Sequence, residues 1–134
     1  MSLAVLIAAH ASASDVIALE VSLSALRNDE GLIRVAVHAS GSTFPSATPL
    51  TAASISPIEG EATIQFELPP GRYAVSVLHD EDSDGELDTG LFGIPKEGFG
   101  ASTRVRRLGP PRWEDCAFEL TEDATLPIRM TYLL

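Results

Sequence analysis

Carboxylate side chains are concentrated in one short stretch of this sequence, DEDSDGELD, which begins at Asp80. Asp80, Asp82 and Asp84 stand at alternate positions, and Gly85 takes the sixth place. This spacing is typical of a loop that surrounds Ca²⁺ with oxygen ligands, because the glycine allows the chain to turn sharply. Neighbouring carboxylates also repel one another unless water or a cation separates them. The predicted Ca²⁺ ligands are Asp80, Asp82, Asp84, Glu86 and Asp88.

The predicted loop departs from the helical calcium hand in two ways. Its twelfth position is Leu91, whereas the hand has a bidentate Glu there. Strand-like segments, not helices, flank it, and Asp88 or the later Glu97 could complete the ligand shell. With one ligand fewer, we expect a dissociation constant of about 10⁻⁴ to 10⁻³ M. The alternative is a solvated hairpin loop, since turns are rich in Asp and Gly.

Two other side chains could do chemistry, His79 and Cys116. His79 precedes Asp80 and could act as the base of a small hydrolase or isomerase. No second His or Cys stands at metal-ligand spacing from it, and no G-x-S-x-G, P-loop or H-E-x-x-H motif occurs. Cys116 lies between Trp113 and Phe118, which is more typical of a core thiol than of a nucleophile. The sequence therefore favours a non-enzymatic binding or structural module over an enzyme.

Strands must position these residues, because the dominant hydrophobic period is two from Asp15 onward. Turn residues such as Pro69-Pro70-Gly71 interrupt the alternation at short intervals. The segment 73–78 is apolar on both faces, so it should be central in its sheet. Predicted strands cover 17–23, 33–37, 62–68, 73–78, 102–108, 114–120 and 126–134, with a short edge strand at 54–58. The predicted fold is all-β, an antiparallel β-sandwich of about seven strands.

The composition fits one acidic domain of 134 residues. Nine Lys and Arg against 19 Asp and Glu give a formal charge of -10, which excludes a nucleic-acid or anionic-membrane binder that works by bulk electrostatics. The apolar runs are too short for a membrane-spanning helix. Arg104, Arg106 and Arg107 are expected to neutralise part of the acidic loop.

Residues 1–14 are predicted to be the remnant of a signal peptide. An apolar run from Leu3 to Ala9 precedes Ala11-Ser12-Ala13, which fits the small-x-small rule for cleavage, although no Lys or Arg precedes the run. The alternative is a buried first strand or short helix. The signal-peptide interpretation leaves 15–134 as a single β-sandwich domain in the periplasm or outside the cell, with a protein, peptide or glycan as its partner.

Two motifs follow the acidic loop, GIPKEGFG from Gly93 and PPRWEDCAF from Pro110. Together with RYAV and HDED before them, they make the chain similar to the bacterial family DUF2141 over roughly residues 17 to 134. The resemblance implies an exported, prealbumin-like (transthyretin-type) sandwich of Ig-like architecture and no known reaction. Cys116 stands where a small residue, usually Ala, is expected, which favours a buried thiol.

Overall fold

The computed structural model describes residues 16–82, 97–103 and 111–133. Within them, the alternating pattern forms strands and one helical turn, α1, at Trp113–Cys116. The strands are β1 Ile17–Ser24, β2 Leu32–His38, β3 Thr51–Ile55, β4 Ala62–Leu68, β5 Gly71–Asp80, β6 Gly98–Ala101, β7 Phe118–Leu120 and β8 Ala124–Arg129. They form two packed sheets, which confirms the predicted all-β sandwich. No helix among the described residues is long and apolar enough to cross a membrane.

The smaller sheet has the order β4-β1-β8, and the larger one has the order β3-β2-β5-β6, with β7 paired to the start of β5. Every strand pair is antiparallel except one. β1 runs parallel to β8, with Leu19 opposite Ala124. The predicted antiparallel β-sandwich is confirmed, and this pair is its one parallel exception among the described strands. The exception arises where the chain crosses from β7, in the larger sheet, to β8 in the smaller one.

The hydrophobic core lies between the two sheets. Alternate residues of β1, β2 and β5 point into it, as a period of two requires. These residues are Leu19, Val21, Leu23, Ile33, Val35, Val37, Tyr73, Val75 and Val77. Burial of one such aliphatic side chain contributes roughly 1.5–3 kcal/mol. β5 pairs with β2 on one side and β6 on the other, so its predicted central place is confirmed.

A second, smaller cluster covers the other face of β5. Ala74 packs there with Phe44, Ala101 and Cys116, and Trp113 covers them. Cys116 is buried, as predicted, but it lies on α1 and not on a strand. The prediction of a strand from residue 114 is wrong because the chain first makes a helical turn, closed by the Ala117 N–H donating to the Trp113 carbonyl at 2.9 Å.

Other predicted strands also differ from the observed ones. The edge strand predicted at 54–58 lies at Thr51–Ile55, because Ile58 instead forms a tight hairpin with Glu61. The last strand ends at Arg129 and not at residue 134. β6 lies at Gly98–Ala101, at the end of the motif GIPKEGFG and outside every predicted strand. A Cβ atom on Gly98 would overlap the Tyr132 ring, so packing requires glycine in this strand. Of the predicted strand 102–108, residues 104–108 lie outside the described residues, as does the predicted signal-peptide remnant.

Several connections converge at one end of the sandwich, which we call the acidic end. They are residues 25–31 between β1 and β2, residues 56–61 between β3 and β4, residues 81–82 after β5, and residue 97 before β6. Among the described residues this end carries eight carboxylates and three guanidinium groups. The acids are Asp29, Glu30, Glu59, Glu61, Asp80, Glu81, Asp82 and Glu97, and the bases are Arg27, Arg34 and Arg129.

Candidate functional site

The last two residues of β5 bring two buried polar side chains to the acidic end. His79 and Asp80 are both 0% exposed. Because successive side chains of a strand point to opposite faces, they lie on different sides of the larger sheet. His79 lies on the same face as Val75 and Val77, toward the core, and Asp80 lies on the outer face with Ala74. β5 therefore places an imidazole on the core side of the larger sheet and a carboxylate on its outer side.

His79 is held by both of its ring nitrogens. Nε2 lies 2.7 Å from the Glu30 carbonyl oxygen, and Nδ1 lies 2.7 Å from the Tyr132 hydroxyl. Since a carbonyl only accepts hydrogen bonds, Nε2 carries a proton and donates it. In the neutral ring, Nδ1 then accepts from Tyr132. His79 is thus fully buried, and both of its ring nitrogens are already engaged.

Tyr132 joins this histidine to an exposed ion pair. The Arg27 N–H donates to its hydroxyl at 3.2 Å, and the Arg27 guanidinium lies 4.6 Å from its ring centroid. Arg27 donates two hydrogen bonds to the Glu81 carboxylate, at 2.9 and 2.7 Å, and Asn28 donates a third at 2.6 Å. The Arg27 bond is the main reason why the pKa of Glu81 is lowered, and the same bond raises the pKa of Arg27. These hydrogen bonds therefore fix the charged Glu81 side chain, which we call the anchor, directly after β5.

Three carboxylates meet beside this anchor. One oxygen each from Asp80, Asp82 and Glu97 lies within 4.8 Å of the other two. Asp80 is 0% exposed and Glu97 is 4% exposed, while Asp82 is exposed. At such a separation two carboxylates repel each other by about 3 to 4 kcal/mol in an effective dielectric of about 20. The cluster therefore requires positive charge or hydrogen-bond donors.

Donors from the described part of the chain contact the cluster. Arg34 Nε donates to Asp80 Oδ2 at 2.8 Å, and the Glu81 N–H donates to Glu97 Oε2 at 2.9 Å. Arg34 stands on β2 opposite Leu78, and its side chain is partly exposed. Three carboxylates whose oxygens lie this close together can also bind a divalent cation.

The predicted ligand set divides into two parts. Asp80 and Asp82 lie together in the cluster, and Glu97, which was expected as a completing ligand, lies with them. Asp84, Glu86 and Asp88 lie outside the described residues, as do the three arginines predicted to neutralise the loop. Sequence reasoning did not identify Arg27, Arg34 or Tyr132. The available signal for Arg34 was its outward place in an alternating strand, but the pairing of β2 with β5 was needed to use it.

The other polar side chains of interest lie at the opposite end of the sandwich. His38 is fully buried and packs edge-on against Phe44, with ring centroids 5.3 Å apart. Its Nδ1 lies 2.9 Å from Thr43 Oγ1, and that hydroxyl is 3.2 Å from the Ser40 carbonyl, to which it donates. His38 Nδ1 therefore donates to Thr43. Nε2 has no hydrogen-bond partner among the described residues.

Cys116 packs in the same cluster as Phe44, the aromatic neighbour of His38. The surroundings of its thiol are different. Burial, and next the negative charge of Asp115, raise its pKa from 9.0 to about 11. Its carbonyl accepts from the Ser102 hydroxyl at 2.7 Å, and that hydroxyl accepts from the Val75 N–H at 3.0 Å. A thiol with a raised pKa is protonated near neutral pH, which makes it a poor nucleophile.

Comparison with known proteins gives one family. Residues 21–127, from β1 into β8, match the family model described as an uncharacterised protein conserved in bacteria, DUF2141. No curated protein and no solved structure matches the chain.

Proposed function

The chain belongs to the DUF2141 family, and we propose that it acts as a non-enzymatic, exported binding or structural module that holds Ca²⁺ at the end of β5. The observation that carries the cation part is the cluster of Asp80, Asp82 and Glu97, two of which are buried. Export rests on the apolar run of residues 3–9 and the Ala-Ser-Ala that follows it.

The size of the cluster supports Ca²⁺. Oxygens that bind one Ca²⁺ ion at about 2.3 to 2.6 Å lie no more than about 5 Å apart. The three carboxylates meet this limit, since their oxygens lie within 4.8 Å of one another. Further oxygens from the predicted loop residues or from water can enlarge the shell, which suits the flexible coordination of Ca²⁺ better than the strict octahedron of Mg²⁺.

The surroundings of His79 support a non-enzymatic role. A general base must reach the proton that it abstracts, directly or through one water. His79 is 0% exposed, and both ring nitrogens are engaged by Glu30 and Tyr132. The alternative, a small hydrolase or isomerase that uses His79, therefore has less support.

Thermal unfolding of the full chain tests the cation site. A ligand that binds only the folded state adds RT ln(1 + [L]/Kd), so Ca²⁺ at ten times Kd should add about 1.4 kcal/mol. For a domain of this size, that gain raises the melting temperature by a few degrees. We expect this shift in millimolar CaCl₂, a smaller one in MgCl₂, and its reversal by EDTA.

Two variants and one control locate the effect. Asp82→Ala removes the exposed ligand, and Glu97→Gln removes a charge but keeps an oxygen that can accept from the Glu81 N–H. Both should reduce the Ca²⁺ shift, whereas Glu122→Ala, an exposed acid after β7, should leave it unchanged. If Ca²⁺ moves none of these melting curves and gives no heat in calorimetry, the segment is a solvated loop.

A further inference from the structure

The strand edges of the sandwich are not equally protected. Among the described residues, β3 is the last strand of its sheet and pairs only with β2. Half of the backbone groups of such a strand point away from its partner, ready to pair with another chain. β3, with the sequence TAASI, has no charged residue and no proline to prevent this. By contrast, exposed Glu67 lies on β4, and Pro127 lies within β8.

A groove adjoins the end of β3. It has a volume of about 580 Å³, and its walls include Ile55, Ile58 and Ala62 as well as Glu59 and Glu61. Ile58 is 70% exposed, which makes it a ready apolar anchor for a bound chain.

Hydrogen bonds to the Asp29 carboxylate fix one wall of this groove. Glu59 and Gly60 form the tip of the Ile58–Glu61 hairpin, with φ angles of 53° and 79°. The Asp29 carboxylate accepts hydrogen bonds from both of their N–H groups, at 2.8 and 2.9 Å. These two bonds also lower the pKa of Asp29. A groove fixed in this way loses little conformational freedom when a ligand binds.

Charge decides which partner fits the groove. It lies at the acidic end, and Glu59 and Glu61 on its rim are exposed. Arg27 and Arg34 form ion pairs with Glu81 and Asp80, and Arg129 lies on β8, in the other sheet from β3. A second copy of this chain carries the same formal charge of -10, so charge opposes self-association. A basic partner is attracted.

We propose that β3 and the adjoining groove bind an extended, basic segment of a partner protein by strand addition. Backbone hydrogen bonds along β3 give the affinity, an aliphatic side chain packs on Ile58, and Lys or Arg side chains lie near Glu59 and Glu61. This inference deepens the binding role proposed above, but it does not require the bound cation.

The test uses the full chain and a fluorescent peptide that alternates lysine with valine, measured by anisotropy with EDTA present throughout. The peptide should bind and should protect β3 amide hydrogens from exchange. The same peptide with glutamate in place of lysine should not bind, and a version with N-methylated backbone amides should lose its affinity. Because EDTA removes the cation, failure of the Ca²⁺ site does not affect this result.

Two matched pairs of variants locate the contact. Ile58→Ser should weaken binding about tenfold or more, since each 1.4 kcal/mol is a factor of ten in affinity. Val16→Ser, at another exposed aliphatic residue that does not line the groove, should not. Glu59→Gln with Glu61→Gln should weaken binding more than Glu119→Gln with Glu122→Gln. Equal effects of the two double glutamate variants would show attraction by net charge alone, and equal effects of Ile58→Ser and Val16→Ser would show that Ile58 is not the contact. Either result would overturn the proposal. So would failure of the lysine peptide to bind, or a dimer of the chain that Ile58→Ser disrupts.

Discussion

Two buried histidines lie at opposite ends of the larger sheet, and their surroundings differ. At the acidic end, His79 uses both ring nitrogens, one with the Glu30 carbonyl and one with the Tyr132 hydroxyl. At the other end, His38 uses only Nδ1, with Thr43, and its Nε2 has no partner among the described residues. Both side chains are 0% exposed. The number of satisfied nitrogens, and not the degree of burial, distinguishes them.

This difference shows where polar interactions stabilise the fold. At the acidic end, the hydrogen bonds of His79 connect β5 to the 25–31 connection and to the C-terminal segment, and so support the chain just before the carboxylate cluster. At the opposite end, apolar packing among Phe44, Trp113 and Cys116 holds the structure, and His38 is an imperfectly satisfied member of that packing. We therefore expect mutations at the two ends to differ in size and in pH dependence.

The largest expected effect is that of His79→Ala. It opens a cavity and leaves the Glu30 carbonyl and the Tyr132 hydroxyl without their partner, which should lower the free energy of unfolding by about 3 to 5 kcal/mol. His38→Ala opens a similar cavity but removes only one hydrogen bond, so its cost should be about 1 to 2 kcal/mol smaller. Urea denaturation at pH 7.5 measures both.

Tyr132→Phe separates the hydrogen bonds from the cavity. It removes one hydroxyl, which bonds to His79 and to the Arg27 N–H, and keeps the ring beneath the Arg27 guanidinium. Its cost should be about 1 to 3 kcal/mol, the penalty for unsatisfied buried groups. If Tyr132→Phe and His79→Ala both cost no more than an exposed substitution, the polar network does not stabilise this end.

Much of the fold could be predicted from the sequence because the hydrophobic period of two is strong in the strands that form the core. Alternation in β1, β2, β4 and β5 fixed which residues enter the core, and the double-sided apolar character of β5 fixed its central place. Prediction failed where tertiary contacts override local pattern. β6 has the sequence GFGA, which shows no alternation that would predict a strand, and it forms one because it pairs with β5. The Tyr132 ring leaves room for nothing larger than glycine at Gly98.

The candidate site was predictable only in part, for a related reason. The acidic spacing identified Asp80 and Asp82, and Glu97 was a reasonable third ligand. Arg34 and Tyr132 were not predictable, since their distances along the chain from residue 80 say nothing about strand register. A salt bridge such as Arg34 to Asp80 becomes visible only when β2 is known to pair with β5 at Leu32 opposite Asp80.

At the apolar end, Cys116 should resist alkylation in the folded protein. Burial raises its pKa to about 11, so the thiolate fraction at pH 8 falls about 100-fold relative to a thiol at the reference value of 9.0. Its 2% exposure slows the reagent further. Iodoacetamide labelling followed by mass spectrometry should be slow without denaturant and rapid in urea. Rapid labelling of the native protein would contradict a core role for this thiol.

The smallest effect concerns pH and His38. Burial lowers the pKa of His38 below its ordinary value of 6.5, although the Pro45 carbonyl opposes this. In the unfolded chain the imidazole keeps its ordinary pKa, so the unfolded state binds more protons as the pH falls below about 6.5. Stability from the neutral ring is thus complete above that pH and is lost as the pH falls toward the lower, folded pKa.

Urea denaturation at pH 7.5, 6.5 and 5.5 measures this loss, with His38→Gln as the comparison because glutamine does not titrate yet can still bond to Thr43. The wild-type advantage over the variant should shrink toward pH 5.5, by no more than about 1.4 kcal/mol for each pH unit. The lowered pKa values of Asp29 and Glu81 affect stability only at more acidic pH, and His79 is present in both proteins. Parallel pH curves for the two proteins would show that His38 titrates alike in the folded and unfolded states, and the contrast between the two histidines would then have no thermodynamic consequence.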